Sequence, residues 1–181
     1  MPRLLSLAAV TLALAALPAA AALPLGAKAP DIQTQASLAG KAMPFSLKAA
    51  LRKGPVVLYF YPAAFTKGCT IEAHDFAEAT DDFQKLGATV VGMSADPIDK
   101  LNKFSVEECR NKFAVGSASK DVIKAYEVSF PVKPDISNRT SFVIAPDGKI
   151  IYVYSALDPA GHVTGTMDAV KAWRAKHPAK I

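Results

Sequence analysis

The fold is decided by the segment Val56 to Tyr61, which reads VVLYFY and lies between Pro55 and Pro62. Six consecutive apolar or aromatic residues are typical of a strand that is buried on both faces, as at the centre of an α/β sheet. The segment therefore predicts a central strand. The elements on either side of it must supply the helices that cover such a strand.

A helix is predicted immediately downstream, over residues 70–86. Larger apolar side chains recur there on one helical face: Ile71, Phe76, Phe83 and Leu86. Acidic side chains are expected on the opposite, solvent-facing side: Glu72, Asp75, Glu78 and Asp82. Gly87 suits the left-handed conformation at a helix C-terminus, and residues 88–94 read as a second buried strand. Strand, helix and strand together predict a right-handed βαβ unit.

The rest of the chain predicts further short elements. They are a hairpin within 25–46, a brief helix at 47–51, a helix capped by Asp96 and Pro97 that ends near Glu107, a strand at 114–115, a helical turn at 121–126, hairpin strands at 140–145 and 150–154, and a last helix opened by Thr164 or Thr166. We therefore expect an α/β domain with a mixed central sheet flanked by helices. This order suits a thioredoxin-like fold, although other three-layer α/β domains share it.

The N-terminal segment is typical of a secretory signal. Its only charged side chain is Arg3, a Leu/Ala/Val-rich run follows over 4–17, and small residues lead up to Ala22. We predict a signal peptide over residues 1–22 and one domain over 23–181, exported to the periplasm. The alternative is an uncleaved membrane anchor, because the segment nearly supplies the roughly 20 apolar residues that a spanning helix needs.

Charge and motif content exclude several classes of protein. The chain has 21 Lys and Arg against 16 Asp and Glu residues, and these are scattered, so no nucleic-acid partner is expected. Glycine-rich phosphate loops and the nucleophile elbow are absent from the sequence. The cysteines and histidines lack the spacing of metal ligands, so neither a metal nor a cofactor is expected. Two cysteines in an exported chain suggest, by default, a structural disulfide.

Cys69 lies just after the central strand, in the first turn of the predicted helix. Unpaired backbone N–H groups and the helix dipole favour an anion there, and a thiolate is the nucleophilic form of cysteine. Lys67 adds positive charge nearby, and Gly68 lets the backbone turn tightly. Position alone leaves two interpretations open: a reactive thiol, or an inert core cysteine.

The block Pro62 to Glu72, PAAFTKGCTIE, resembles the peroxiredoxin signature of a proline, three residues, a threonine, two residues and a cysteine. It is most similar to the bacterioferritin-comigratory, or Q-type, branch, in which Tyr-Phe-Tyr-Pro precedes the loop and Cys-Thr-x-Glu-Ala follows it. A second motif agrees with this resemblance, because Arg139 precedes TSFVIAPDGKI as the distal arginine of that family does.

The resemblance covers about residues 25–176 and implies a thioredoxin-like peroxidase that reduces hydrogen peroxide and small alkyl hydroperoxides. It implies that Cys69 attacks the peroxide and becomes a sulfenic acid. Thr66 would hydrogen-bond both thiolate and peroxide, and Arg139 would stabilise the thiolate and the developing oxyanion. Pro62 would shield the sulfur from water.

The chain departs from the branch at the position of the resolving cysteine. Many Q-type members have it five residues after the attacking cysteine, where this chain has His74, which we interpret as a polar residue on the helix surface. Because some members resolve through a later cysteine, the resemblance implies a Cys69–Cys109 disulfide. One alternative is a one-cysteine peroxidase that an external thiol reduces directly. Another is a non-enzymatic exported domain with a structural disulfide.

A disulfide oxidoreductase of the thioredoxin type is disfavoured, because Glu72 stands where the second cysteine of a Cys-x-x-Cys motif would be. An exported peroxidase works in a compartment that supplies few reducing equivalents. We therefore expect a dedicated thioredoxin-like or glutaredoxin-like reductant as its partner, or a membrane relay in its place. By analogy with Q-type relatives, we expect a monomer.

Overall fold

The computed structural model describes residues 22–178, so the predicted signal peptide lies outside the described residues except for Ala22. The strands in this part of the chain are β1 (Gln33–Leu38), β2 (Lys41–Ser46), β3 (Val56–Phe60), β4 (Thr89–Ser94), β5 (Ala114–Ser117), β6 (Ser129–Phe130), β7 (Lys133–Ser137), β8 (Thr140–Ile144) and β9 (Ile150–Ser155). The helices are α1 (Leu47–Leu51), α2 (Lys67–Lys85), α3 (Ile98–Glu107), α4 (Lys120–Ala125) and α5 (His162–Lys176). None of these helices is long and apolar enough to cross a bilayer.

Seven strands form one sheet in the order β2-β1-β5-β4-β3-β8-β9. Its centre is parallel, since β4 pairs in parallel with both β3 and β5. The flanking pairs are antiparallel, with the β1–β2 hairpin at one edge and the β8–β9 hairpin at the other. The mixed sheet, its parallel centre and the hairpins are confirmed.

Helices cover both faces of the sheet, as predicted. On one face, α2, α3 and α5 contribute the buried side chains Phe76, Leu101 and Val170. On the other face, α1 and α4 contribute Leu47 and Ile123. Because every residue of β3 is buried between these layers, the continuous apolar run of the sequence is explained.

The pairing of β3 with β8 positions the candidate site. Phe60, the last residue of β3, lies opposite Thr140, the first residue of β8. The segment that follows β3 therefore lies beside Arg139, which precedes β8. Ser137 fixes this arrangement, because its hydroxyl donates a hydrogen bond to the carbonyl of Tyr61 at 2.8 Å. The two sequence motifs thus meet at one end of the sheet.

The prediction that Glu72 faces solvent is wrong, as is the placement of Ile71 on the buried face. Glu72 is completely buried, whereas Ile71 is 42% exposed. The buried stripe of α2 instead runs through Cys69, Ala73 and Phe76, at the spacing of one helical face. Glu72 lies beside this stripe, where Arg139 compensates its charge.

Several element boundaries also differ from the predictions. α2 begins at Lys67, three residues before the predicted start, and α5 begins at His162 rather than at Thr164 or Thr166. The small β6–β7 sheet was not predicted. Prolines interrupt its sequence at 131 and 134, and proline removes a ladder donor, so periodicity carries little strand signal there.

Candidate active site

The Cys69 side chain is buried in the first turn of α2, two residues after the helix begins. Arg139 Nη2 donates a hydrogen bond to Cys69 Sγ over 3.5 Å. The helix N-terminus and the guanidinium group both favour negative charge on this sulfur. The structure therefore brings together the two residues that the separate motifs predicted.

Arg139 is held on three sides, which fixes its orientation. Its Nε donates to the carbonyl of Leu157 at 2.8 Å, and its Nη1 forms a buried ion pair with Glu72 Oε2. Burial acts to lower the pKa of Arg139, but the charges of Glu72 and Cys69 outweigh burial, so the pKa is raised. The guanidinium is a fixed positive charge against the sulfur.

Gly68 is explained by this guanidinium and not by the tight turn expected from the sequence. Its φ is not in the left-handed region. A Cβ atom at position 68 would lie only 2.9 Å from Arg139 Nη2. Glycine is therefore needed because the arginine passes directly over the backbone beside Cys69.

Thr66 and Pro62 flank the cysteine in the same loop. Thr66 is the N-cap residue of α2, and its hydroxyl donates to the carbonyl of Ala63 at 3.0 Å rather than to Cys69. This hydrogen bond closes a turn within the loop, which satisfies the hydroxyl locally. Pro62 is half-buried directly after Tyr61.

The loop is anchored to the end of β4 by Asp96, which the sequence suggested as a helix cap. Asp96 Oδ2 instead accepts hydrogen bonds from the Ala64 N–H at 2.7 Å and from the Ser94 hydroxyl at 2.8 Å. Phe65 has a φ of +66°, which is unusual for a bulky residue and marks local strain. Its ring packs edge-on against Phe104, with ring centroids 5.2 Å apart.

Glu72 and His162 form a buried polar pair behind Arg139, and sequence reasoning missed both. His162 Nδ1 lies 3.6 Å from Glu72 Oε1, and both side chains are fully buried. Burial raises the pKa of Glu72 to about 8, although Arg139 acts in the opposite direction. Burial lowers the pKa of His162 to about 4, so its ring is neutral at pH 7. Only the Cys-Thr-x-Glu-Ala motif pointed to Glu72, and no sequence signal pointed to His162.

Cys109 lies just after α3, fully buried in the same apolar core as Cys69. Both thiols are free in this structure. Burial, and then the neighbouring Glu108, raise the pKa of the Cys109 thiol. In this state Cys109 is therefore a neutral thiol and a poor nucleophile.

His74 has a partner that its interpretation as a plain surface residue did not include. His74 Nε2 lies 2.7 Å from Glu108 Oε2, next to Cys109 in the chain. Two further ion pairs join α2 to the same segment: Glu78–Arg110 at 3.0 Å and Asp81–Lys112 at 2.9 Å. We call these three pairs the α2 latch, because they tie the Cys69-bearing helix to the Cys109-bearing segment.

A thioredoxin-like fold with a buried cysteine at a helix start, paired with an arginine, defines a class of thiol-based redox proteins. Residues 25–153 match the AhpC/TSA family, and the chain belongs to that family. It is 34% identical to peroxiredoxin Bcp of Escherichia coli K12 over 127 residues, which cover 67% of this chain and 79% of the relative. It is 27% identical to peroxiredoxin Bcp of Bacillus subtilis over 154 residues, which cover 81% of this chain and 94% of the relative.

Solved structures agree with this assignment. The chain is similar to peroxidoxin BcpB of Mycobacterium tuberculosis, with a TM-score of 0.73 and 32% identity over 82% of this chain and 96% of that one. The match to AhpC of the same organism has a TM-score of 0.75 at 18% identity and covers 88% of this chain and 97% of that one. At this identity the match supports the fold alone. The chain is thus a peroxiredoxin of the Q-type branch, that is, a thiol peroxidase.

Proposed function

We propose that the protein reduces hydrogen peroxide and small alkyl hydroperoxides through a sulfenic acid on Cys69. The Cys69 thiolate attacks one peroxide oxygen, the S–O bond forms, and the O–O bond breaks. The sulfur loses two electrons, and the other oxygen leaves as water or alcohol once it has gained a proton. The contact between Arg139 Nη2 and Cys69 Sγ is the observation that carries this proposal.

The surrounding residues support the attack in three ways. Arg139 stabilises the negative charge as it moves from sulfur to the leaving oxygen, because its guanidinium is already oriented and shielded from water. The Thr66 hydroxyl turns from the Ala63 carbonyl to the peroxide, a change that needs only rotation about its side-chain bond. Pro62 keeps water from the sulfur side of the loop.

An apolar hollow of about 390 Å³ adjoins Arg139 and supports the choice of alkyl hydroperoxides as substrates. Its apolar lining includes Phe130, Pro131, Val132, Ala156 and Leu157. Arg139 belongs both to this hollow and to the Cys69 site. A small alkyl group placed here would be partly removed from water beside Arg139, the residue that contacts the sulfur.

We propose that Cys109 resolves the sulfenic acid by forming a disulfide with Cys69. Both cysteines are buried in folded segments, and a disulfide requires Cα atoms within about 7 Å. Because both thiols are free and buried in this structure, we propose that the first turns of α2 open locally to let them meet, as low-stability functional segments do. Opening also exposes Cys109 to water, which removes the burial that keeps its thiol neutral.

The first experiment treats reduced protein with one equivalent of hydrogen peroxide and measures intact mass and free thiols. We expect rapid loss of both thiols and a mass decrease of two hydrogens, with Cys69→Ser and Cys109→Ser failing to form the disulfide. A gain of oxygen on Cys69 with Cys109 unchanged would establish the one-cysteine cycle instead. The absence of a rapid reaction at Cys69 would overturn the proposed function.

The α2 latch predicts a kinetic effect of His74→Gln. This substitution removes the contact between the His74 imidazole and Glu108 Oε2 and weakens the attachment of α2 to the segment that carries Cys109. We expect disulfide formation to become faster, while the free energy of unfolding changes by less than about 1 kcal/mol, since the pair is partly exposed. Stopped-flow tryptophan fluorescence and urea denaturation measure the two quantities.

Lys85→Gln is the matched control, because it removes an exposed ion pair with Asp82 that lies within α2. Among the described residues, neither member of this pair forms a salt bridge or a side-chain hydrogen bond with the 108–112 segment. Its disulfide should form at the rate of the unmodified protein. Equal rates in His74→Gln and Lys85→Gln would show that the latch does not limit opening.

We propose that the protein acts as a monomer after export to the periplasm, and that a thioredoxin-like or glutaredoxin-like protein reduces the Cys69–Cys109 disulfide. An oxidising compartment does not regenerate the thiols by itself. Peroxide consumption without added thiol should therefore stop after one turnover, and added reduced thioredoxin should restore it until its dithiol is consumed.

A further inference from the structure

One buried guanidinium serves two acidic groups in this site. Arg139 Nη2 contacts Cys69 Sγ, and Arg139 Nη1 contacts Glu72 Oε2. Two full negative charges around one cation would leave one charge uncompensated in a region shielded from water, which is costly. When Cys69 is a thiolate, the arrangement therefore favours a neutral Glu72.

Within the part of the chain that the structure describes, the other neighbours of Glu72 offer no second positive charge. His162 on α5 faces Glu72 Oε1, but its Nε2 donates to the carbonyl of Ala156 at 3.0 Å. Its Nδ1 therefore accepts from the Ser141 hydroxyl at 2.8 Å, and the ring is neutral. On α2 itself, Asp75 adds only negative charge.

Glu72 Oε1 is free to carry a proton. Glu72 Oε2 accepts from Arg139, whereas Oε1, although fully buried, has no hydrogen-bond partner among residues 22–178. An acceptor without a donor is costly inside a protein, and His162 Nδ1, 3.6 Å from Oε1, has no N–H to donate because it accepts from Ser141. A negative charge at Oε1 is therefore unfavourable, which favours a proton there. The raised pKa of Glu72, about 8, agrees with a carboxylic acid at neutral pH.

We propose that Glu72 holds a proton while Cys69 is a thiolate and gives it up when Cys69 is oxidised, so that the site itself supplies the proton that the leaving oxygen needs. This inference rests on the proposed function. The balanced step is Cys69–S⁻ plus ROOH plus Glu72–COOH giving Cys69–SOH plus ROH plus Glu72–COO⁻. Arg139 stays protonated throughout, with Nη1 and Nη2 as donors, and the leaving oxygen gains one proton for the one that Glu72 loses.

The charge of the buried site is thereby the same before and after the reaction. Arg139 compensates the thiolate first and the Glu72 carboxylate afterwards. Glu72 acts through Arg139 and does not touch the peroxide, so it is a positioning residue with a proton to supply. The consequence is that oxidation of Cys69 draws no proton from solvent on behalf of the leaving group.

The test counts solvent protons during a single oxidation. Cys109→Ser protein, which stops at the sulfenic acid, is mixed with one equivalent of hydrogen peroxide in weak buffer containing a pH indicator. Glu72→Gln is compared in the same background, because glutamine keeps the shape of a neutral carboxyl group but holds no transferable proton. Asp75→Asn is the matched control, since it neutralises an exposed acid one turn along α2.

At about pH 6.5 we expect the parent to take up about one proton fewer than Glu72→Gln per Cys69 oxidised. At about pH 9.5 the difference should vanish, because Glu72 is then ionised before the reaction. Asp75→Asn should match the parent at both pH values. Thiolate absorbance in the ultraviolet establishes that Cys69 is ionised in each sample.

Equal proton uptake by the parent and Glu72→Gln at about pH 6.5, with Cys69 oxidised in both, would overturn the proton-storage proposal and leave the peroxidase proposal intact. If the mass of the parent shows no oxygen added to Cys69, the proposed function itself fails. Mass spectrometry on the same samples therefore separates the two failures.

Discussion

Replacing Arg139 with glutamine should lower the second-order rate constant for oxidation of Cys69 by about 10²–10³-fold, the usual cost of removing one preorganised donor from a developing oxyanion. The substitution removes the charge that contacts Cys69 Sγ and leaves Glu72 buried without its cation. Above the Glu72 pKa of about 8, where the carboxyl group is charged, removing one partner of this buried pair costs about 3–5 kcal/mol of stability. Stopped-flow kinetics and chemical denaturation measure the two effects.

The loss of stability in Arg139→Gln should depend on pH. Burial raises the pKa of Glu72, and Arg139 lowers it. Removing Arg139 therefore raises the pKa of Glu72 further above its value in the unfolded chain. The folded protein then binds a proton that the unfolded chain has lost, and stability falls as pH rises above the unfolded pKa of 4.5. The destabilisation should therefore be larger at alkaline than at neutral pH.

The double variant Arg139→Gln/Glu72→Gln separates folding from chemistry. It removes the uncompensated carboxylate, so stability should recover toward that of the unmodified protein and lose its alkaline dependence. The rate constant should remain low, because no guanidinium faces the sulfur. Recovery of the rate in the double variant would show that Arg139 only supports the fold.

Phe76→Ala should destabilise the fold by about 3–5 kcal/mol, a large part of the 5–15 kcal/mol that holds a typical domain together. Phe76 is fully buried and stacks on Tyr59 with ring centroids 4.4 Å apart, so it joins α2 to the central strand. Urea denaturation measures the loss. The cause is the lost apolar burial together with the cavity that the ring would leave.

Ile71→Ala is the matched control for Phe76→Ala. It lies on the same helix but is 42% exposed, so the free energy of unfolding should change by only about 0.5 kcal/mol. A similar loss in both variants would mean that the buried stripe of α2 has been assigned to the wrong face.

The central elements were predictable because their signals are local. The apolar run at β3, the stop at Gly87 and the Pro146–Lys149 turn each constrain a few neighbouring residues, and the structure confirms the strands and helices that they predict. Weak elements were missed where propensity opposes them, as in the proline-containing β7. The start of α5 was also missed, because its N-cap is Gly161 at a φ of +87° and no polar cap marks it.

The candidate site was predictable only in part. Cys69 and Arg139 belong to motifs that carry a family resemblance, and the β3–β8 register brings them into contact. Glu72 was assigned to the solvent side because an unpaired carboxylate is almost never fully buried. Its burial depends on Arg139, 67 positions later in the chain. The periodicity of apolar residues within α2 carries no information about a partner so distant in sequence.

The amino-acid sequence by itself determined the sheet, the helix that begins beside Cys69, and membership of a peroxide-reducing family, because these follow from short-range patterns and motif spacing. Only the tertiary structure decided that Arg139 is shared between Cys69 and Glu72, that a neutral His162 faces Glu72, and that His74 ties α2 to the segment of Cys109. The physical reason is that charge compensation and burial are set by neighbours in space, which strand pairing brings together from distant parts of the chain.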